Sequence, residues 1–157
     1  MLISQNNPRN RISQLTWAAV WAGVTAFGLF LKADPHGHGT HQSLGLPPCP
    51  SVLFFGRPCP GCGLTTSWTA LLHGDFTTAF RAHPLGPLMY VVYTATAILA
   101  VVLAMKNLRI DPNDRRVERI SMAAVAVFFT FGAVRMALTT NYRTEKETVM
   151  ARFLSPR

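Results

Sequence analysis

The fold class predicted is an all-α membrane protein of three transmembrane helices, with an interfacial amphipathic helical hairpin in the loop after the first. Two observations carry this. Of the 157 residues, 49% are hydrophobic and 14% are charged, against about 25% charged in a soluble domain. The apolar residues are also gathered into three uninterrupted blocks, each near the ~20 residues that cross a hydrocarbon core. Together they predict one membrane domain over residues 1–157.

The first block, QLTWAAVWAGVTAFGLFL at residues 14–31, lies between Arg9 and Arg11 on one side and Lys32 on the other. It is longer than the apolar core of a secretory signal and no A-x-A pattern follows, so it reads as an uncleaved anchor. The second block, residues 85–105, starts after His83-Pro84 and ends at Lys106, and the third, residues 120–139, starts after Arg119. Trp17, Trp21, Tyr90 and Tyr93 sit near block ends, where amphipathic rings favour the headgroup layer. Lys and Arg divide evenly between the two sides. The basic stretch KNLRIDPNDRRVER between the second and third spans breaks the tie, because short loops close to span ends set orientation. It places the N-terminus in the cytoplasm and the C-terminus outside. The net charge of +8 is dispersed along span flanks with no aromatic-basic surface, which points to anionic lipid and away from nucleic acid.

Residues 32–83 form a loop too long to lack structure of its own. Its first part, ADPHGHGTHQSLGLPPCP, has no period and reads as irregular chain, with His36, His38 and His41 solvated. From Gly63 onward, Leu64, Trp68, Leu71 and Leu72 recur at helical spacing, with Thr65, Thr66, Ser67 and Thr69 on the other face. Gly74 ends this helix in the left-handed conformation, and Asp75 caps a second one, whose Phe76, Ala79 and Phe80 share a face. The pair is too short and too polar to cross a bilayer, hence the interfacial hairpin. Residues 140–157 form an amphipathic tail, with Val149, Met150, Phe153 and Leu154 on one side.

The chemistry concentrates in RPCPGCGLTTS, residues 57–67. Cys59 and Cys62 precede a helix N-terminus, where free N–H groups and the helix dipole favour a thiolate. With Cys49 they make three thiols, and His73 is the candidate fourth ligand for a single zinc ion, since a structural zinc site takes four. One C-x-x-C pair also suits a disulfide staple between Cys49 and Cys59 or Cys62, or thiol-disulfide exchange at Cys59 and Cys62. His73 and Asp75 read either as an acid-base pair or, the preferred reading, as a helix stop around Gly74 with Asp75 as the next cap. Haem is excluded: no C-x-x-C-H is present, since Gly63 follows Cys62, and none of the histidines lies well within a span. Arg135 is the one charge within a span; it marks either a lipid or partner contact or a side chain snorkelling to the headgroups. Gly132, with Ala123, Ala124, Ala126, Ala133, Gly23 and Gly28, reads as a small-residue packing surface.

Residues 49–88 also resemble an uncharacterised family of small bacterial integral membrane proteins, a domain of unknown function. The matching residues are Cys49, Cys59, Pro60, Cys62, Gly63, Thr65, His73, Gly74, Asp75 and Pro84; Thr66 and His83 stand where the family pattern usually has Arg and Asn. The resemblance implies a place in the bacterial inner membrane and lends no activity. The spans contain no paired carboxylates, no His and no broken helix, which argues against a self-sufficient pump or channel. The expected function is therefore a non-catalytic accessory or structural subunit of a membrane complex. The alternative is a thiol-disulfide oxidoreductase or metal-handling protein acting through CPGC.

Overall fold

The computed structural model describes residues 3–5, 7–111 and 114–154. Helices α1 (Pro8–Phe30), α5 (Gly86–Met105) and α6 (Arg115–Leu138) are long and apolar enough to cross a membrane. Two of them outrun their apolar blocks at the N-terminal end, because capping by a polar side chain sets the start of a helix, not the edge of a hydropathy window. The Asn7 side chain accepts from Arg9 N with Pro8 in the first turn, and Asp114 accepts from Arg116 N. A two-stranded antiparallel ribbon was not foreseen: β1 (Ile3–Gln5) pairs with β2 (Leu108–Ile110), Ser4 opposite Arg109. Three residues are too few to show a period.

Helices α1 and α5 pack antiparallel through a ladder of polar contacts. Trp17 Nε1 donates to Thr96 Oγ1 at 3.3 Å, Trp21 Nε1 donates to Thr94 Oγ1 at 3.0 Å, and Thr25 Oγ1 lies 2.9 Å from Tyr90 OH. Residues 17, 21 and 25 recur every fourth position and so share one stripe of α1. The aromatic residues expected at the headgroup layer are thus interhelical fasteners, each such bond contributing about 0.6 kcal/mol in a bilayer. Trp17 also meets Tyr93 edge-on at 5.0 Å.

Between α1 and α5 the chain builds a short helix α2 (Pro50–Phe55), then the hairpin of α3 (Leu64–Leu72) and α4 (Phe76–Ala82). Gly74 holds φ +77° and the Asp75 carboxylate accepts from Thr78 N at 2.9 Å, the stop and restart expected. The burial of α3 differs from expectation. Thr66, Ser67 and Thr69, assigned to the polar outer face, are fully buried. They fit there because they are small and their hydroxyls find partners: Thr66 Oγ1 lies 2.8 Å from Thr40 Oγ1, and Ser67 Oγ donates to the His83 carbonyl. Trp68 Nε1 donates to Gly86 O at 2.9 Å and seats α3 on the start of α5. Phe76 and Phe80 stay exposed, while Ala79 between them is buried.

Two elements close over this loop. The tail helix α7 (Glu145–Leu154) packs on α2. Just before it, Tyr142 N donates to Gly56 O at 2.9 Å, and the Arg143 guanidinium donates to the Val52 and Leu53 carbonyls. The other is α6, whose C-terminal third meets the Cys59–Cys62 turn. Gly132 lies directly against Pro60, so that an added Cβ would come within 2.6 Å of the Pro60 Cα. The small-residue packing surface is thus used, at Gly132, inside this chain. Ala123, Ala124 and Ala126 remain exposed on α6. Substituting Leu at Gly132 should therefore lower the thermal midpoint of the isolated protein by forcing Pro60 off α6, at about the 1–3 kcal/mol of an overpacked contact. An unchanged midpoint in detergent would show that this contact carries no stability.

Candidate functional site

Cys49 lies at the N-terminal edge of α2, and Cys59 and Cys62 flank the turn before α3; their sulfurs all lie within 4.8 Å of one another. All three are free thiols. Cys62 is buried, and its sulfur sits 3.2 Å from Cys59 Sγ and accepts from Cys59 N at 3.2 Å. Burial, and then the adjacent Cys59 thiol, push the Cys62 thiol far above its ordinary pKa. At Cys49, burial works in the same direction but is outweighed by hydrogen bonds from the Cys62 thiol and the backbone at Val52, so its thiol titrates below the ordinary value. Burial and hydrogen bonding thus move the Cys49 and Cys62 thiols in opposite directions.

The turn carrying Cys59 and Cys62 is fixed from three sides. Gly63 adopts φ +84°, and a Cβ there would come within 2.8 Å of the Gly37 carbonyl and against that of Ala82. From α6, Arg135 donates to Cys62 O and Ala82 O, both at 2.7 Å, and to Tyr142 OH at 3.1 Å. The guanidinium expected either to meet lipid or a partner or to snorkel to the headgroups directs these donors to its own chain. From the end of α4, His83 donates Nε2–H to Pro60 O at 3.0 Å. Its ring is completely buried beside Phe128 and Phe131, and Nδ1 has no partner among the described residues.

A second buried polar cluster joins the tail to the loop. Glu147, 1% exposed, accepts from Thr144 N at 2.8 Å, from Gln42 Nε2 at 2.8 Å and from His38 Nε2 at 3.0 Å. Its burial opposes ionisation, yet the Thr144 backbone and the His38 and Gln42 side chains together hold its carboxyl below the usual range. The His38 ring stacks on Tyr142 at 4.3 Å. The loop histidines were expected in solvent; His38 is buried instead, because a carboxylate about a hundred residues further along the chain reaches it, which no local spacing reveals.

The structure brings together Cys49, Cys59 and Cys62, and His73 is not among the grouped ligands. Helix α3 separates them: nine residues at 1.5 Å rise put His73 about 14 Å from the Cys62 end. Its Nδ1 instead lies 2.8 Å from Thr69 O, closing the helix. The groups that reading from sequence missed are His83, Glu147 and the carbonyls held by Arg135. A histidine beside a proline at a span boundary was the one signal available for the first of these.

His83 generates a pH prediction. Burial lowers its pKa, with the Arg135 charge acting in the same direction against the hydrogen bond to Pro60. A folded-state pKa below the unfolded value of about 6.5 means that this contribution to stability is complete above that pH and declines as pH falls through it toward the folded value. Thermal midpoints should fall between pH 7.5 and 5.5, and His83→Asn should flatten that segment. Loss driven by Glu147 would begin only below about pH 4.5, so an acid limb at that lower pH alone would assign the effect to the carboxylate.

No curated protein and no solved structure matches this chain. Residues 49–97, the stretch that opens at Cys49, carries all three thiols and His83 and runs into α5, match the family model described as Protein of unknown function (DUF2752).

Proposed function

We propose that this chain is an integral membrane protein that handles a soft metal ion, bound by Cys49, Cys59 and Cys62 on the outer face of a bacterial inner membrane. The convergence of three sulfurs within 4.8 Å carries the reading. Thiolates are the ligands that soft cations and zinc prefer. Four sulfurs at about 2.3 Å from zinc stand roughly 3.8 Å apart in a tetrahedron, and the spacings here bracket that value, so small rotations suffice. No His, Asp or Glu joins the three sulfurs among the described residues. Three protein ligands leave a fourth position open, as in sites that exchange a ligand and unlike closed structural sites.

A second reading, an accessory subunit, is favoured by α6. Its residues 121–127 are exposed, and an apolar cavity of about 420 Å³ separates Ala124, Val127 and Phe128 from Trp17 and Met89. The two readings are compatible, since a metal-handling protein also meets its recipient. Thiol-disulfide exchange at Cys59 and Cys62 needs only two sulfurs and leaves the close approach of Cys49 without a role.

Purified with its thiols reduced, the protein should bind one Cd²⁺ or Zn²⁺ per chain, with cadmium–thiolate absorbance that falls by about a third for Cys→Ser at each of the three positions. A Cys59–Cys62 disulfide in protein taken directly from membranes, together with no metal uptake after reduction, would favour exchange chemistry. For orientation, a membrane-impermeant maleimide should label the metal-free thiols in intact cells. Labelling only after lysis would place them in the cytoplasm.

A further inference from the structure

The three thiols belong to two separately held pieces of chain. Cys59 and Cys62 are fixed by α6, through Arg135 on the Cys62 carbonyl and Gly132 beneath Pro60. Cys49 is carried by α2, whose packing partner is α7, and the Arg143 guanidinium holds the Val52 and Leu53 carbonyls at the same interface. The start of α7 is tied to the loop at His38 and Gln42 by a buried carboxylate. Glu147 lies in the first turn of α7, is 1% exposed and is bound by His38, Gln42 and Thr144. The hydrophobic face of α7 does not do this work, since Val149, Met150, Phe153 and Leu154 are all exposed.

We infer that Glu147 is the positioning residue that completes the three-thiol centre: its docking beside His38 and Gln42 seats α7 on α2 and brings Cys49 to Cys59 and Cys62. Undocking α7 withdraws one ligand and leaves the CPGC pair in place. The same chain then offers a three-sulfur site with α7 seated and a two-sulfur site with α7 released. The tail thereby controls how tightly the metal is held. The inference rests on the metal reading for its consequence, but the movement of Cys49 is independent of it.

The test uses full-length protein in nanodiscs, with Cd²⁺ as the probe. Glu147→Ala should open Lys146 and Arg152 to trypsin and speed alkylation of Cys49 relative to Cys59. Cadmium binding should weaken about 10- to 100-fold, the usual cost of losing a group that orients a metal ligand. Cys49→Ser should weaken it similarly, and the double variant should be no weaker than Cys49→Ser alone, since a thiol that is absent cannot be withdrawn again. Equal further weakening in the double variant would make Glu147 a general stability residue and overturn the inference. So would a released tail with Cys49 reactivity and three-thiolate absorbance unchanged. If Glu147→Ala does not fold, Arg143→Gln loosens the same interface and is judged by the same outcomes. If the unaltered protein takes up no cadmium, the metal reading fails by itself, and the Cys49 alkylation rate with and without Glu147 still decides the inference.

Discussion

Arg135 is the constraint around which the cysteine-bearing half of the molecule is arranged. A guanidinium in the last turn of a spanning helix is costly in hydrocarbon unless its donors are met, and here they go to the carbonyls of Cys62 and Ala82 and to the Tyr142 hydroxyl. Its planar fork suits two carbonyls at once, which a lysine ammonium would not match. Satisfying it obliges the Cys59–Cys62 turn and the end of α4 to lie over α6. That approach is possible only because Gly132 leaves room for Pro60, and because Gly63 has no side chain to strike the Gly37 and Ala82 carbonyls.

The buried groups around this arrangement follow a common logic. A carboxylate or an imidazole removed from water is tolerated where hydrogen bonds replace its hydration. Glu147 accepts from four donor atoms, on Thr144, Gln42 and His38, whereas His83 has one satisfied nitrogen and one without a partner among the described residues. The first cluster is therefore strong and depends on charge. The second is tuned for a neutral ring and is the more sensitive to mild acid. Breaking a buried pair by removing one partner strands the other, which is why single residues here carry large consequences.

Hydropathy located the three spans, because a bilayer imposes length and apolarity on each segment separately. The restart at Gly74-Asp75 was legible for the same reason, being decided by its own dihedrals and one local cap. The three cysteines were visible as residue types and the structure brings them together, but the fourth ligand expected from sequence does not join them: α3 carries His73 away. Gly132 and Arg135 stand out in the sequence as a small residue and a charge within a span, but a sequence does not say which surface meets either; here both meet the loop of the same chain. His38 and Glu147 were beyond reach, because their pairing spans 109 positions and local spacing carries no trace of it.

The division of the thiol centre has a physical consequence that follows from the bilayer. α6 is long and apolar enough to cross the membrane, and the Cys59–Cys62 turn rests on its C-terminal end through Gly132 and Arg135. Helix α7 has no span of its own, keeps Val149, Met150, Phe153 and Leu154 exposed, and is tied down through Glu147 in its first turn and through Tyr142 and Arg143 just before it. Forces acting from the water phase, whether a binding partner, a lipid surface or a change of charge, therefore reach Cys49 more readily than they reach Cys59 and Cys62. A centre in which all three sulfurs rode on α6 would be stable but unresponsive. Carrying Cys49 on α2, which packs against the tail helix, ties the position of that sulfur to the tail.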